Sequence, residues 1–506
     1  MYEIKYNINR RLRAYKEDVL MEEVKNWILK NKYHFLIISV FVFVLTFAPS
    51  LDSDSFWHLK TGEWILKNGI PQKDMFSYWD SRFIAHGWLF DIGAYKLYDL
   101  FGYQSLAIFR ALILTVVLYL SLKMAEKRGM NNAFVALSSL IFVSFAAKMF
   151  IIRPQILSVL FICLEIYILE NYKKHWILPI LSLMFINVHG GLLFVFCLIY
   201  LVYLFADIWD RNIDKKTICH RLLIFVAIVL TAFITPYGID CAMYGSKMPG
   251  YVRDVITEFF PIINSEKDIF LLFFMFLPIA CMAYVKDVKI KDILMFSMGF
   301  LMSILLVRMI IFFILIYIIY GCPYIYKVLI EVKDKFNVKN VSTSNNILKV
   351  CQIMYNLFFY GLATFFFISA LNSMISTTLD DDIRSESLKK YAPVEIVNYL
   401  NDNIDNKEVI MNHYNLGGYF LFNDLPVFVD GRTDIYLAEY GNEPVYNDYV
   451  KILNAEEDVD SLIEKYDIKY FAVYKDDELV DYLLDNNMGK ILIEDGDCVL
   501  LEKLVN

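Results

Sequence analysis

The chain alternates between long apolar runs and short polar loops. Apolar stretches fall at His34–Pro49, Gln104–Leu122, Asn132–Phe150, Arg153–Leu169, Trp176–Val188, Gly191–Ile208, Leu222–Thr235, Ile269–Val285, Ile293–Leu306, Met309–Tyr326 and Val350–Ile375. This gives about eleven candidate transmembrane helices, several of them shorter than the roughly twenty residues of a perpendicular span. Every second loop is basic. The first two carry Lys123, Lys127 and Arg128, then Lys173 and Lys174. The next carry Arg211, Lys215, Lys216 and Arg221, then Lys286, Lys289 and Lys291, then Lys327, Lys333, Lys335 and Lys339. The positive-inside rule assigns these loops to the cytoplasm and the alternate loops to the outside. The N-terminal segment 1–33, with Arg10, Arg11 and Arg13, reads as a cytoplasmic amphipathic helix on the membrane surface. The expected organisation is therefore that segment, an all-α polytopic membrane domain over 34–375 with a first outer loop at 51–103, and an extracytoplasmic domain over 376–506.

The first outer loop has its own pattern. Asp54 to Asn68 has helical spacing and ends at Gly69, with Pro71 beyond. A second helix is expected from Trp88 to Phe101. The aromatic residues of both suggest helices lying in the outer leaflet interface. After Ser376 the hydropathy drops. A helix is expected from Pro393 to about Leu400, with further helices at Val459–Tyr466 and Glu478–Asp485. Strands are expected at Glu408–Met411, Val427–Val429 and Tyr470–Tyr474, and a hairpin at Lys490–Glu494 and Cys498–Glu502. Short strands alternating with helices predict a small soluble α/β domain with a mixed sheet.

Composition narrows the class. With 506 residues, 58% of them hydrophobic, the chain is too apolar for an ordinary soluble protein. A net charge of -8 without a basic stripe excludes nucleic acid as a partner. The eight cysteines form no Cys-x-x-Cys pair, which argues against a disulfide framework or a zinc site. No cleavable signal is evident, because the first apolar run is long enough to remain as an anchor.

The polar residues that break the pattern sort to one side. Asp52, Asp54, His58, His86, Arg153, Asn187, His189, Glu258 and Arg308 all fall at outer ends. Asp54 suits the N-cap of the helix that follows, but a cap needs one acid and here there are two. Paired outward carboxylates can act as a general base, orient an acceptor hydroxyl or hold a divalent cation. Histidine can donate, accept or ligate near neutral pH, or serve as a hydrogen-bonded interfacial residue. Arg110, Arg153 and Arg308 lie in or at the outer ends of apolar runs. Their guanidinium groups can snorkel to lipid headgroups or grip phosphate. Asn187 and His189 flank a glycine turn that needs neither of them. Asp430-Gly431-Arg432 follows an expected strand, where it could dock the tail domain onto the membrane mouth or bind a polar acceptor.

These residues together resemble multi-spanning GT-C glycosyltransferases of the protein-mannosyltransferase-like group, in a poorly characterised bacterial and archaeal branch. The likeness is carried by Asp52-Ser53-Asp54-Ser55-Phe56-Trp57-His58-Leu59-Lys60-Thr61-Gly62, Pro71-Gln72-Lys73-Asp74-Met75-Phe76-Ser77 and His86-Gly87-Trp88-Leu89. In the last of these, Gly87 replaces the branch's glutamate. Arg153-Pro154-Gln155, Asn187-Val188-His189-Gly190-Gly191, Pro236-Tyr237-Gly238, Gly417-Gly418-Tyr419 and Asp430-Gly431-Arg432 extend it to the tail. The resemblance implies a polyprenyl-phosphate-linked sugar donor, a glycan, lipid or protein acceptor, and chemistry at the extracytoplasmic face. It makes Asp52 or Asp54 the residue that deprotonates or orients the acceptor hydroxyl and Arg153 or Arg308 the stabiliser of the departing phosphate. Some members use a divalent metal and others do not, so the metal stays open. Two other readings remain at this stage: a transporter or flippase of lipid-linked glycans, and a non-catalytic envelope assembly protein.

Overall fold

The computed structural model describes residues 51–130, 134, 138, 151–172, 175–244, 261, 269–335, 368, 391–405, 407–438 and 444–504. The segment 1–33, the run His34–Pro49, nearly all of Asn132–Phe150 and Val350–Ile375, and Glu258 lie outside the described residues.

Four helical stretches among the described residues are long and apolar enough to cross a bilayer: Tyr103–Glu126, Gly190–Trp209, Lys215–Phe233 and Val307–Val332. His175–Val188 and Phe274–Tyr284 are apolar but shorter. The chain is thus a mostly helical membrane protein. The stretch Val307–Val332 is the most enclosed. It runs through Ile310–Ile316, a π-helical turn at Tyr317–Gly321 and Cys322–Lys335. Gly321 within that turn admits the Pro278 ring, which a side chain there would meet at 3.0 Å.

Between the membrane helices and the tail lie two helices of the first outer loop, α1 (Ser53–Asn68) and α2 (Trp88–Phe101). Glycine stops both, Gly69 and Gly102, each at positive φ. The expectation of two interfacial helices needs correction for α1. Phe56, Trp57, Leu59 and Ile65 are all buried in protein, because α1 is sandwiched between α2 and the tail. On α2, Leu100 and Phe101 remain exposed. Gly62 permits the α1–α2 crossing, since a Cβ there would collide with the Asp91 backbone. Next come α3 (Tyr103–Glu126), α4 (Gln155–Asn171) and α5 (Leu178–Val188).

The tail is an α/β unit with a four-stranded sheet in the order β1-β2-β4-β3. Its strands are β1 (Val409–Asn412), β2 (Ile468–Tyr474), β3 (Gly489–Asp495) and β4 (Cys498–Lys503). The β1–β2 pair is parallel and the other two pairs are antiparallel, so the sheet is mixed. Helix α6 (Gly417–Phe422) follows β1, and α7 (Val445–Leu453) precedes β2. The expected strand Val427–Val429 is absent from this sheet. Its backbone pairs instead with the first outer loop. Val427 N–H donates to Phe76 O at 3.1 Å, and Trp79 Nε1–H donates to Phe428 O at 2.9 Å. Edge groups that would have joined the sheet thus attach the tail to the membrane domain.

Candidate active site

The first turn of α1 sets the site. Asp52, not Asp54, is the N-cap: its Oδ1 accepts from Ser55 N–H at 3.0 Å, and Ser55 Oγ accepts from Asp52 N–H at 3.2 Å. This reciprocal box fixes the chain entering the helix. It leaves Asp54 in the first turn for other partners. Asp54 Oδ1 accepts from the Trp57 indole N–H at 3.1 Å, and its Oδ2 pairs with Arg153 Nη1 at 3.0 Å. Arg153 also donates through Nε to Asp52 Oδ2 at 2.9 Å, and Nη2 reaches the same oxygen. One guanidinium fork therefore bridges both acids, a geometry lysine could not supply.

His58 sits one helical turn beyond Asp54, on the same face of α1. Its Nδ1 shares a 2.6 Å hydrogen bond with Asp91 Oδ1 of α2. The imidazole stacks on Trp57 with ring centroids 3.6 Å apart and meets Phe90 edge-on at 5.6 Å. Burial pushes the Asp91 carboxyl up, and burial, together with the nearby His86, Arg153 and His189, pushes His58 down. His86 stacks on Tyr244 at 3.9 Å and lies 5.8 Å from the His189 ring. Burial, reinforced by Arg308, lowers His86 to about 4, so it is neutral at pH 7. His189 Nδ1 shares a 2.7 Å hydrogen bond with Ser158 Oγ.

Asp52, Asp54, His58, His86, Arg153, His189 and Arg308 all line one cavity of about 720 Å³. Its opposite wall comes from the tail, through Tyr414, Gly431, Thr433 and Tyr446. Gly431 lies so close that a Cβ there would strike Asp54 Oδ1 and come within 3.0 Å of Trp57 Nε1. The other expected site residues lie elsewhere. Arg110 is fully buried in α3 and does not line the cavity. Asn187 spends its amide on structure: Trp88 Nε1–H donates to its Oδ1 at 3.0 Å, and its Nδ2 donates to Leu183 O and Ile234 O. Glu258 is outside the described residues.

Asp430 and Arg432 are buried and do not line the cavity. Arg432 is 1% exposed and donates to both Asp430 oxygens and to Asp74 of the first outer loop. Its guanidinium lies 5.1 Å from both the Phe76 and Phe83 ring centroids. The pair locks the tail in place and leaves only the glycine between them facing the cavity. Sequence reasoning missed Asp91, Tyr244 and Tyr414. Asp91 reads there as an ordinary first-turn acid favourable to the helix dipole. The available signal was the four-residue spacing of His58 and Gly62, which puts the imidazole and the close crossing on one face.

Asp52 and Asp54 both converge on Arg153, and among the described residues no group of three or more His, Cys, Asp or Glu is placed to hold a metal. No protein-family model and no curated protein matches the chain. Solved structures do match. An oligosaccharyltransferase of Archaeoglobus fulgidus, crystallised tethered to an acceptor peptide with an NVT sequon, aligns over 89% of this chain and 70% of its own, with TM-score 0.57 and 11% identity. The archaeal oligosaccharyltransferase AglB of the same organism, in complex with an inhibitory peptide and a dolichol-phosphate, aligns over 88% and 70%, with TM-score 0.56 and 12% identity. ArnT of Cupriavidus metallidurans, bound to undecaprenyl phosphate, aligns over 95% and 98%, with TM-score 0.50 and 13% identity. The chain has a GT-C-like fold. At these identities the likeness is one of architecture, and it spans both the membrane helices and the tail.

Proposed function

We propose that this GT-C-like protein is a membrane glycosyltransferase that moves a sugar from a polyprenyl-phosphate-linked donor to an acceptor at the extracytoplasmic face. The observation that carries the reading is convergence: two acids, four histidines and two arginines from separate segments line one cavity. The solved neighbours bound to dolichol-phosphate or undecaprenyl phosphate support the donor class. In this reading the chain crosses the bilayer about eleven times. The segment 1–33 is cytoplasmic, 34–375 forms the membrane domain and 376–506 closes the cavity from outside.

Arg308, with Arg153, neutralises the lipid phosphate as the bond between it and sugar C1 breaks. Asp54 orients the acceptor hydroxyl, and Asp52 holds Arg153 and the helix start in register. A carboxylate already taken up by a guanidinium and an indole N–H suits orientation better than proton removal. The acceptor is a glycan, lipid or protein group small enough to enter beneath the tail.

The test is sugar transfer, or donor hydrolysis, by the purified protein in lipid with a panel of polyprenyl-phosphate sugars. Asp54→Asn and Arg308→Gln are expected to lower turnover by about a hundredfold or more. Full activity in both variants would refute the assignment of this cavity.

A further inference from the structure

We infer that His58 is the proton acceptor of this site and that buried Asp91 is its positioning residue; this rests on the glycosyltransferase reading. His58 Nδ1 is committed to Asp91 at 2.6 Å. The ring is clamped between the Trp57 face and Phe90. His58 lines the cavity beside Asp54 and Arg153, and its Nε2 has no hydrogen-bond partner among the described residues. Asp91 is fully buried, and its Oδ2 has no partner among the described residues. A buried carboxyl in that state is unfavourable unless it serves the group it does touch.

The proposed step uses one of the two tautomers: with Nδ1–H donated to an ionised Asp91, Nε2 of this cavity-lining residue is left as the acceptor. Asp52 and Asp54 are both already paired with Arg153. In the reaction, the acceptor oxygen bonds to sugar C1 while the bond from C1 to the phosphate oxygen breaks. The bonding pair leaves with the lipid phosphate, and the hydroxyl proton passes to His58 Nε2. The charge so formed on the imidazole lies against the Asp91 carboxyl, which is how a buried acid can favour a cation in a dry site. Gly62 makes this possible, since only a residue without Cβ lets α2 bring Asp91 so near α1.

The experiment measures kcat and KM for sugar transfer in wild type, His58→Ala, His58→Gln and Asp91→Asn, with melting curves for each. His58→Ala is expected to lower kcat by about a hundredfold or more with KM nearly unchanged. Added imidazole should restore at least about tenfold of that loss, which a purely structural histidine would not show. Asp91→Asn should lower kcat by about tenfold or more, again with KM nearly unchanged. If His58→Ala fails to fold, His58→Gln carries the same expectation for kcat. Activity within about threefold of wild type in a folded His58 variant overturns the inference while the glycosyltransferase reading stands. A folded, inactive His58→Ala that imidazole does not rescue overturns it as well. A wild-type protein inert toward every donor overturns both.

Discussion

Arg153 shows how one side chain can organise a site from a distance in sequence. It enters just before α4, about a hundred residues after the acids it binds, and holds Asp52 and Asp54 in fixed orientations. At the tail wall, Asp434 is a second informative residue. It is buried, and Tyr244 donates to its Oδ1 at 2.5 Å. Burial raises its carboxyl to about 7, only partly opposed by the Tyr244 hydrogen bond and by Arg432. The folded chain therefore binds this proton more tightly than the unfolded chain does. The stabilisation is complete below the unfolded value near 3.8 and is lost as pH rises through about 7. Asp434→Asn keeps an oxygen for Tyr244 and removes the titration. It is expected to melt higher than wild type at pH 8, by an amount worth at most on the order of 4 kcal/mol, with the gap closing by pH 4. Thermal unfolding followed across that range checks it. A constant gap at every pH would mean that the group does not titrate as its burial demands.

At the scale of elements, glycines determine which helices can meet. Gly418 of α6 lies against the Ser53 backbone, where a Cβ would overlap the carbonyl. Gly418→Ala should push α6 off the first turn of α1 and cost about 1–3 kcal/mol, read as a lower melting temperature. Gly93→Ala on α2, where nothing lies within 4 Å, is the matched control and should be neutral or slightly stabilising. Equal effects would show that helix docking does not depend on the close approach. The bounds of α1 and α2 were legible in the sequence because caps and glycine stops are local signals. The partner of α1 was not. Phe56 and Trp57 carry the same code whether they face lipid or a protein domain, and only the tail, more than three hundred residues on, decides between them. Likewise Asp52 and Asp54 both satisfy cap chemistry. Which one caps is set by the backbone, which is extended at Asp52 and helical from Ser53 onward.

For the whole molecule, the question is how a small α/β unit becomes a wall of a membrane cavity. The alternation of basic and polar loops grouped these residues on one expected side of the membrane, and seven of them do line one cavity. Long-range docking was legible only as an open alternative for Asp430 and Arg432, because ion pairing across the chain leaves no periodic trace. In the structure these residues form a buried network of Asp74, Arg432 and Asp430, completed by the Tyr436 hydroxyl donating to Asp430 Oδ2 at 2.9 Å. Removing the guanidinium would strand two carboxylates away from water. Arg432→Ala should therefore lose about 3–5 kcal/mol, far more than a surface pair would. Combined with Asp74→Asn, the losses should fall short of additive by more than about 1 kcal/mol, since the two groups share one interaction. Denaturant unfolding of the four proteins in lipid or detergent measures this, and additive losses would deny the coupling. Gly431 sits between the two tail residues and against Asp54. Loosening Arg432 must then also move the wall of the cavity. Transfer activity in Arg432→Ala should fall at temperatures where the membrane helices are still folded, which separates a docking role from a general loss of stability.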